Sequence, residues 1–327
     1  MEDQRVLALE EGLWRSWRRL VPSGREVLLA VSGGPDSMTL LSASARLAGR
    51  LGLRFEAATV DHGLRAESGD EARRVGEQAR ALGLVHHVLR ARVPAGAGVE
   101  AAARSARYAA LESLRAERGL WAIATAHTAS DQAETVLMRL MRGSALGGAT
   151  AIHAARADRV VRPLLFATRD EVEAWVAARQ LPVERDPMND DPRFLRVRVR
   201  REVLPLLEAL APRSTRALAR FAAYAAEDDA WLEAEAARAL SLVAWPDGTL
   251  EAEGLLSLGR PIARRVLAAW LEAQGVALDA EVIDEALAAV RAGRLATLPG
   301  DRVLGCKNGR VSVGAAPPRA PLQTTSP

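Results

Sequence analysis

Short apolar runs and helical apolar periodicity take turns along the first 140 residues. Residues 27–31 form an unbroken apolar run that stops at two glycines. Residues 37–48 then place Met38, Leu41, Ala45 and Ala48 on one helical face. The exchange repeats as strand 55–60, helix 68–82, strand 86–89, an Ala- and Arg-rich helix 100–117, strand 121–125 and helix 130–141. Strands alternating with helices of this length predict βαβ units, a mostly parallel sheet, and right-handed crossovers that put helices on both faces.

The pattern changes after Arg142. Residues 142–151 are small and glycine-rich and read as a loop. A short strand over 162–166 and a helix over 169–179 follow, then the Pro-, Asp- and Asn-rich stretch PVERDPMNDDPRF, which suits no regular element. A helix is expected through 199–210. Beyond it the periodicity is almost wholly helical, at 214–240, 261–274 and 280–292. The stretch RVLGCKNGRVSV has the turn pair Asn308-Gly309 of a β-hairpin. The expected division is a first domain over 1–210, a mainly helical accessory domain over 211–313, and a disordered tail over 314–327.

Composition narrows the class. Of 327 residues, 49% are hydrophobic and 26% charged, as in ordinary globular proteins. No stretch has the run of roughly 20 apolar residues that a membrane span needs. The N-terminus carries early acids and no apolar core, so no signal peptide is expected and a cytoplasmic location is the default. A single cysteine, Cys306, excludes a disulfide framework and a multi-cysteine metal site within the chain. The net charge of +3 is too small to argue for an anionic partner by itself.

Candidate chemistry begins at AVSGGPDSMTLL, residues 30–41. Paired glycines between a strand and a helix start let the backbone approach a ligand and adopt positive φ. The helix N-terminus offers free N–H groups to a phosphate. Ser32 and Ser37 add hydroxyls beside Gly33 and Gly34, and Asp36 suggests Mg²⁺ bridging to the phosphates. Neither the GxxxxGK[ST] nor the GxGxxG pattern is present. The plain alternative is a tight βα turn with Asp36 near the helix start.

Other strand ends converge on the same edge. Asp61, His62 and Arg65 follow the second strand and His127 the fourth, where open parallel sheets bind ligands. His127, Asp131 and Glu134 share one helical face, and Ala133, Val136, Leu137 and Leu140 can pack on the sheet from the other. Further on, Arg193, Arg196, Arg198, Arg200 and Arg201 crowd nine residues, alternating with Leu195, Val197 and Val199. That density at the junction of the two parts predicts nucleic-acid or other phosphate contact through Arg193, Arg196, Arg198 and Arg201. A solvated helical face is the alternative.

SGGPDS matches the pyrophosphate-binding loop of the N-type ATP pyrophosphatase, or PP-loop, superfamily. The stretches VDHGLR, AARSARYAAL, AHTASDQAETVLMRLMRGSALGG, RPLL and DPMN with RVRVRREVLPLL resemble one family within it, the tRNA(Ile)-lysidine synthetases. The resemblance covers about residues 25–210. It departs at Val197, where the family often has Asn, and the extra C-terminal tRNA-binding domain of longer members is expected to be missing. The resemblance implies an adenine nucleotide alpha hydrolase-like Rossmann fold. It also implies a ligase that uses ATP and Mg²⁺ to join L-lysine to C2 of the wobble cytidine in the CAU-anticodon isoleucine tRNA. The C2 oxygen attacks the α-phosphate of ATP, and lysine's amine then displaces AMP. On this reading Ser32, Gly33, Gly34, Pro35, Asp36, Ser37, Asp61 and His62 bind ATP, with Mg²⁺ at Asp36. Arg107 and Arg200 meet phosphate charge, while Arg193, Arg196, Arg198 and Arg201 and the accessory domain over 211–313 contact the tRNA. Asp131 and Glu134 hold the lysine ammonium, and His127 either contacts phosphate or transfers a proton. The implied partners are that tRNA and lysine, with no membrane and no other protein beyond a possible homodimer. The nearest rival, a tRNA thiolase, is disfavoured because Cys306 stands alone. A non-catalytic nucleotide- or RNA-binding module would not need the acids of 131–134.

Overall fold

The computed structural model describes residues 2–61, 68–91, 99–184 and 191–316. The chain forms two compact units, Met1–Ala226 and Glu227–Pro327. In the first, α1 (Glu2–Leu20) precedes β1 (Glu26–Ala30), α2 (Pro35–Leu51), β2 (Arg54–Asp61), α3 (Ser68–Ala81) and β3 (Val85–Arg90). Then come α4 (Val99–Glu117), β4 (Ala122–Ala124), α5 (Ala129–Leu140), the short α6 (Leu146–Ala149), β5 (Val160–Val161) and α7 (Arg169–Ala178). The sheet order is β3-β2-β1-β4-β5, and every pairing is parallel.

Strand pleat sorts the core into two layers. Val27, Leu29, Ala57 and Ala124 face Leu13 and Trp17 of α1, Leu40 and Leu41 of α2, and Trp175 of α7. Leu28, Ala58 and Ile123 face Leu111 and Leu114 of α4. Burial on both sides is why these strands read as unbroken apolar runs. The Trp17 indole N–H donates to Ser44 Oγ at 3.0 Å, tying α1 to α2.

Four expectations change here. The loop expected over 142–151 contains the short helix α6. The strand expected at 162–166 is instead Val160–Val161. Pro163 has no N–H for a ladder, and the following residues turn, with Ala167 N–H bonding Leu164 O at 2.9 Å. The helix expected over 199–210 is three pieces, α8 (Leu195–Arg198), a π-turn (Val199–Val203) and α9 (Leu204–Leu210). Pro205 lacks the N–H that would continue an α-helix, and Leu204 N–H reaches Val199 O in an i→i−5 bond. α10 (Ser214–Val243) runs through the point where the units divide, at 226/227 rather than the expected 210/211. Leu218 and Ala222, early in that helix, pack with Val136 and Ala151 of the first unit.

The second unit holds α11 (Ala252–Ser257), α12 (Arg260–Ala273) and α13 (Ala280–Ala292) around a core that includes Leu267, Trp270 and Leu271. It also carries a four-stranded antiparallel sheet, β6 (Leu250–Glu251), β9 (Arg310–Ala315), β8 (Arg302–Lys307) and β7 (Ala296–Leu298) in spatial order. The β8–β9 turn is Asn308-Gly309, with φ of 52° and 71°, as its sequence predicts. Gly314 and Ala315, expected to open the tail, complete β9. The rest of that tail from residue 317, His62 and Arg65, and the DPMN stretch lie outside the described residues.

Candidate active site

Strand order reverses between β1 and β4, so the sheet's C-terminal edge opens a crevice there. Two turns flank it. One leaves β1 through Ser32–Gly34 into α2, and the other leaves β4 through Thr125–Thr128 into α5.

The β1 turn is shaped by glycine and serine. Gly33 has φ +86°, and a Cβ there would lie 3.3 Å from Glu184 Cγ and 3.4 Å from Val75 Cγ2. Ser37 Oγ accepts from Ser32 N–H at 3.1 Å and donates to Gly34 O at 3.0 Å. Glu184 N–H donates to Gly33 O at 2.9 Å. Gly34 is the N-cap of α2 and Pro35 enters its first turn, and no side chain caps this end. The first-turn N–H groups are thus left for a ligand.

Asp36 sits on that first turn. Burial pushes its carboxyl up to about 6, the Asp131 carboxylate adds to the rise, and Arg169 and Arg200 oppose it. Arg169 Nη2 is 3.7 Å from Asp36 Oδ2. A desolvated carboxylate of this kind is completed by a cation, which fits Mg²⁺ held by one protein carboxylate and substrate phosphates. Among the described residues no three His, Cys, Asp or Glu side chains form a metal-holding group, so the protein alone does not complete such a site.

The β4 side is closed by its own side chains. Thr128 and Asp131 form a reciprocal capping box at the start of α5. Asp131 Oδ2 accepts from Thr128 N–H at 2.8 Å and from the Thr128 hydroxyl at 2.9 Å. Asp131 Oδ1 accepts from Arg196 Nη2 at 2.8 Å. Glu134 is 0% exposed and takes Arg196 Nε at 2.7 Å and Arg200 Nε at 2.6 Å. Although buried, Asp131 is held below the usual carboxylate range by Arg196, His127 and the Thr128 N–H. His127 precedes the helix, with Nδ1 3.0 Å from Thr125 Oγ1. Burial lowers its pKa to about 4, against the pull of Asp131, so the imidazole is neutral at pH 7.

The structure thus brings Ser32, Gly33, Gly34, Pro35, Asp36, Ser37, His127, Asp131, Glu134, Arg196 and Arg200 to one crevice. The carboxylates read as a lysine site already carry two guanidiniums. Arg196, read as a tRNA contact, turns inward because the run is helical rather than extended, while Arg193 and Arg198 stay exposed and pair with Asp191 and Glu202. Arg201 is exposed. Asp61 ends β2 opposite Arg90 of β3. Arg107 lies on α4 beside Tyr108. The apolar face of α5 packs differently from expectation. Ala133 meets Val199 and Leu204, Val136 meets Ala151 and Ala222, and Leu140 is exposed. Sequence reading missed Arg169, whose main-chain N–H also donates to Ser130 Oγ at 3.0 Å. Its signal was the Thr168–Glu171 capping-box spacing that opens α7 directly behind it.

This arrangement has known counterparts. The family model described as the PP-loop domain matches residues 10–207, which places the crevice in the PP-loop class. The U34-tRNA thiolase of Methanococcus maripaludis shares the fold, with a TM-score of 0.58 and 15% identity over 67% of this chain and 79% of that one. In sequence, the chain is 42% identical to the tRNA(Ile)-lysidine synthase of Thermobifida fusca over 91% of its own length and 94% of the relative's. It is 43% identical to that of Salinispora tropica over 78% of each. The chain belongs to the tRNA(Ile)-lysidine synthase family.

Proposed function

We propose that the protein is a ligase that uses ATP to attach L-lysine to the wobble cytidine of the CAU-anticodon isoleucine tRNA, through an adenylated tRNA. The observation that carries the reading is the pairing of an uncapped α2 N-terminus with a carboxylate pair across the switch point. The open turn of Ser32, Gly33, Gly34 and Ser37 receives the β- and γ-phosphates, and its N–H groups hold the leaving pyrophosphate. Asp36 would hold Mg²⁺, whose chemistry there would be to neutralise phosphate charge. Arg169 sits opposite and limits repulsion between Asp36 and the phosphates.

Asp131 and Glu134 supply the negative field for a cationic amino acid. Arg196 occupies that field in the ligand-free protein and is 42% exposed, so it has solvent to swing into when an ammonium arrives. Lysine's amine, with a free pKa near 10.4, must shed a proton before attack. His127 is neutral and hydrogen-bonded to Thr125, a poor acceptor at a pKa of about 4. Phosphate charge arriving beside it raises that pKa and makes it a better base. Mg²⁺ use and the lysine contacts are parts of this reading.

The test is tRNA nucleoside mass analysis after incubation with ATP and lysine. Lysidine should appear with the CAU-anticodon isoleucine tRNA, AMP should form only when that tRNA is present, and replacing the wobble cytidine by uridine should abolish both. AMP formation without tRNA, or no lysidine from a folded protein, overturns the proposal.

A further inference from the structure

A second charged cluster stands apart from the crevice carboxylates. Three guanidiniums surround one ring: Arg104, Arg107 and Arg156 lie 5.2, 5.5 and 5.5 Å from the centroid of Tyr108. Arg162, 3% exposed, completes the group through its position after β5, where one guanidinium N–H is spent on His153 O. The Tyr108 hydroxyl lies close enough to Arg107 and Arg162 to favour their charged forms, yet Arg162 Nε has no hydrogen-bond partner among the described residues.

The charge balance is one-sided. Among the described residues, the only carboxylate ion-paired to these four arginines is Asp158, on Arg156 at 2.6 Å. Burial lowers the pKa of Arg107 and Arg162, and their charged neighbours that add to the effect are other arginines of the group. Collecting buried cations without counter-charge costs stability unless an anion completes the set. A buried donor without an acceptor points to the same missing group.

Position narrows the anion. Arg162 and Arg104 both bear on His127, so the cluster adjoins the β4 side of the crevice. Arg162 follows β5, the strand on the far side of β4 from β1. Its rim, Arg104 and Arg156, is exposed, while Arg162 is buried. The cluster therefore grades from open surface toward the reacting centre, as a strand of phosphodiester approaching the site requires.

We propose that Arg104, Arg107, Arg156 and Arg162, gathered on Tyr108, form a phosphate subsite that grips the tRNA backbone next to the nucleotide being modified. The inference rests on the tRNA reading above. The shared chemistry is a phosphate oxyanion, and its two sources are the tRNA backbone and ATP.

The experiment uses the full chain with the rim pair changed, Arg104→Gln with Arg156→Gln, both at exposed positions. tRNA affinity is measured across salt concentrations, and ATP binding is measured without tRNA. Each backbone phosphate that the variant no longer neutralises should lower the slope of log affinity against log salt by roughly 0.7 to 0.9, while ATP affinity stays within about twofold. A methylphosphonate on either side of the wobble nucleotide should lower the wild-type slope and add nothing to the variant. An unchanged slope overturns the proposal, and an unchanged slope with weakened ATP binding reassigns the cluster to ATP. Wild-type protein that makes no tRNA-dependent AMP marks a failure of the parent reading instead. Should the glutamine pair misfold, Arg104→Lys with Arg156→Lys keeps the charge and should hold the slope.

Discussion

Among the helices that begin near the sheet's C-terminal edge, α2, α5 and α7 treat their N-termini in opposite ways. α5 and α7 are sealed by reciprocal capping boxes, Thr128 with Asp131 and Thr168 with Glu171. α2 starts at Gly34 and Pro35 with no side-chain cap at all. A cap is worth roughly 1 kcal/mol, so its omission from α2 forgoes stability that the same chain takes elsewhere. The sealed end at α5 uses its cap to aim a carboxylate: Asp131 spends Oδ2 on Thr128 and presents Oδ1 outward to Arg196. One helix start is therefore shaped to receive negative charge and the other to display it. Between them, an uncapped helix start and a displayed carboxylate stand apart on one short edge.

The most severe way to break this comparison is to cap the open end. Gly34 has φ −72° and ψ 164°, which any residue adopts, and a Cβ there would be 3.8 Å from Ser32 Oγ and 3.9 Å from Glu184 O. Gly34→Asp should therefore fit and gain a few tenths of a kcal/mol as an N-cap. Its carboxylate would stand where phosphate binds, so tRNA-dependent AMP formation should fall by about 100-fold or more. Gly34→Ala, with no charge, separates bulk from electrostatics and should lose far less. If Gly34→Asp turns over normally, α2 is not the phosphate end.

The next test empties the other side. Glu134 is fully buried between Arg196 and Arg200. Glu134→Ala leaves those guanidiniums with Asp131 alone, and removing one member of a buried ion network typically costs about 3–5 kcal/mol. At permissive temperature the variant should still adenylate tRNA but transfer lysine poorly, so the adenylated intermediate accumulates. Parallel loss of both steps would return Glu134 to the scaffold.

How much of this is legible in the sequence depends on where the information sits. The βαβ alternation, the glycine turn and the His127–Glu134 segment are local patterns, and their residues do meet at the switch point. α1 is also a local pattern, absent from the expected elements although Val6, Leu9, Leu13 and Trp17 recur at helical spacing and are buried. The acids and arginines between them dilute the apolar signal. The inward turn of Arg196 is not legible. Read as an alternating strand, Leu195 and Val197 share a face, whereas the helical run buries Val197 and Val199 and leaves Leu195 40% exposed. Charge density marks a basic run, but which arginine meets an internal acid depends on α5 lying alongside, a contact between residues 62 apart in sequence.

A smaller effect compares the two titrating groups. Asp36 rises from 3.8 to about 6, so its contribution to stability is full below 3.8 and is lost as pH climbs through about 6. His127 falls from 6.5 to about 4, so its contribution is full above 6.5 and is lost as pH drops through about 4. Each spans roughly 3 kcal/mol at 1.36 kcal/mol per pKa unit. The two slopes oppose between about pH 4 and 6 and largely cancel there in the wild type. Asp36→Asn should expose the His127 slope, so urea midpoints fall on acidification. His127→Gln should reverse the sign. A variant pair with the same pH profile as wild type would sink this account.

The smallest effect separates two arginines two positions apart. Arg196 faces inward onto Asp131 and Glu134, while Arg198 is 58% exposed and meets only the equally exposed Glu202 at 3.3 Å. Exposed pairs of that kind contribute little, so Arg198→Ala should change stability by less than about 0.5 kcal/mol. Its positive charge is nevertheless available to a polyanion, because an exposed pair with Glu202 exchanges readily for phosphate. The expected signature is therefore a wild-type melting curve with a tRNA salt slope lowered by roughly 0.7 to 0.9, the equivalent of one phosphate. Arg196→Ala should show the reverse, a clear stability loss with an unchanged slope, since its charge is already spent inside. Thermal melts and tRNA titrations at several salt concentrations on both variants decide the matter. If Arg196→Ala flattens the slope as much as Arg198→Ala does, the inward pair opens when tRNA binds. The two arginines then form one surface in the complex, and the separation between the internal clamp and the external contact fails.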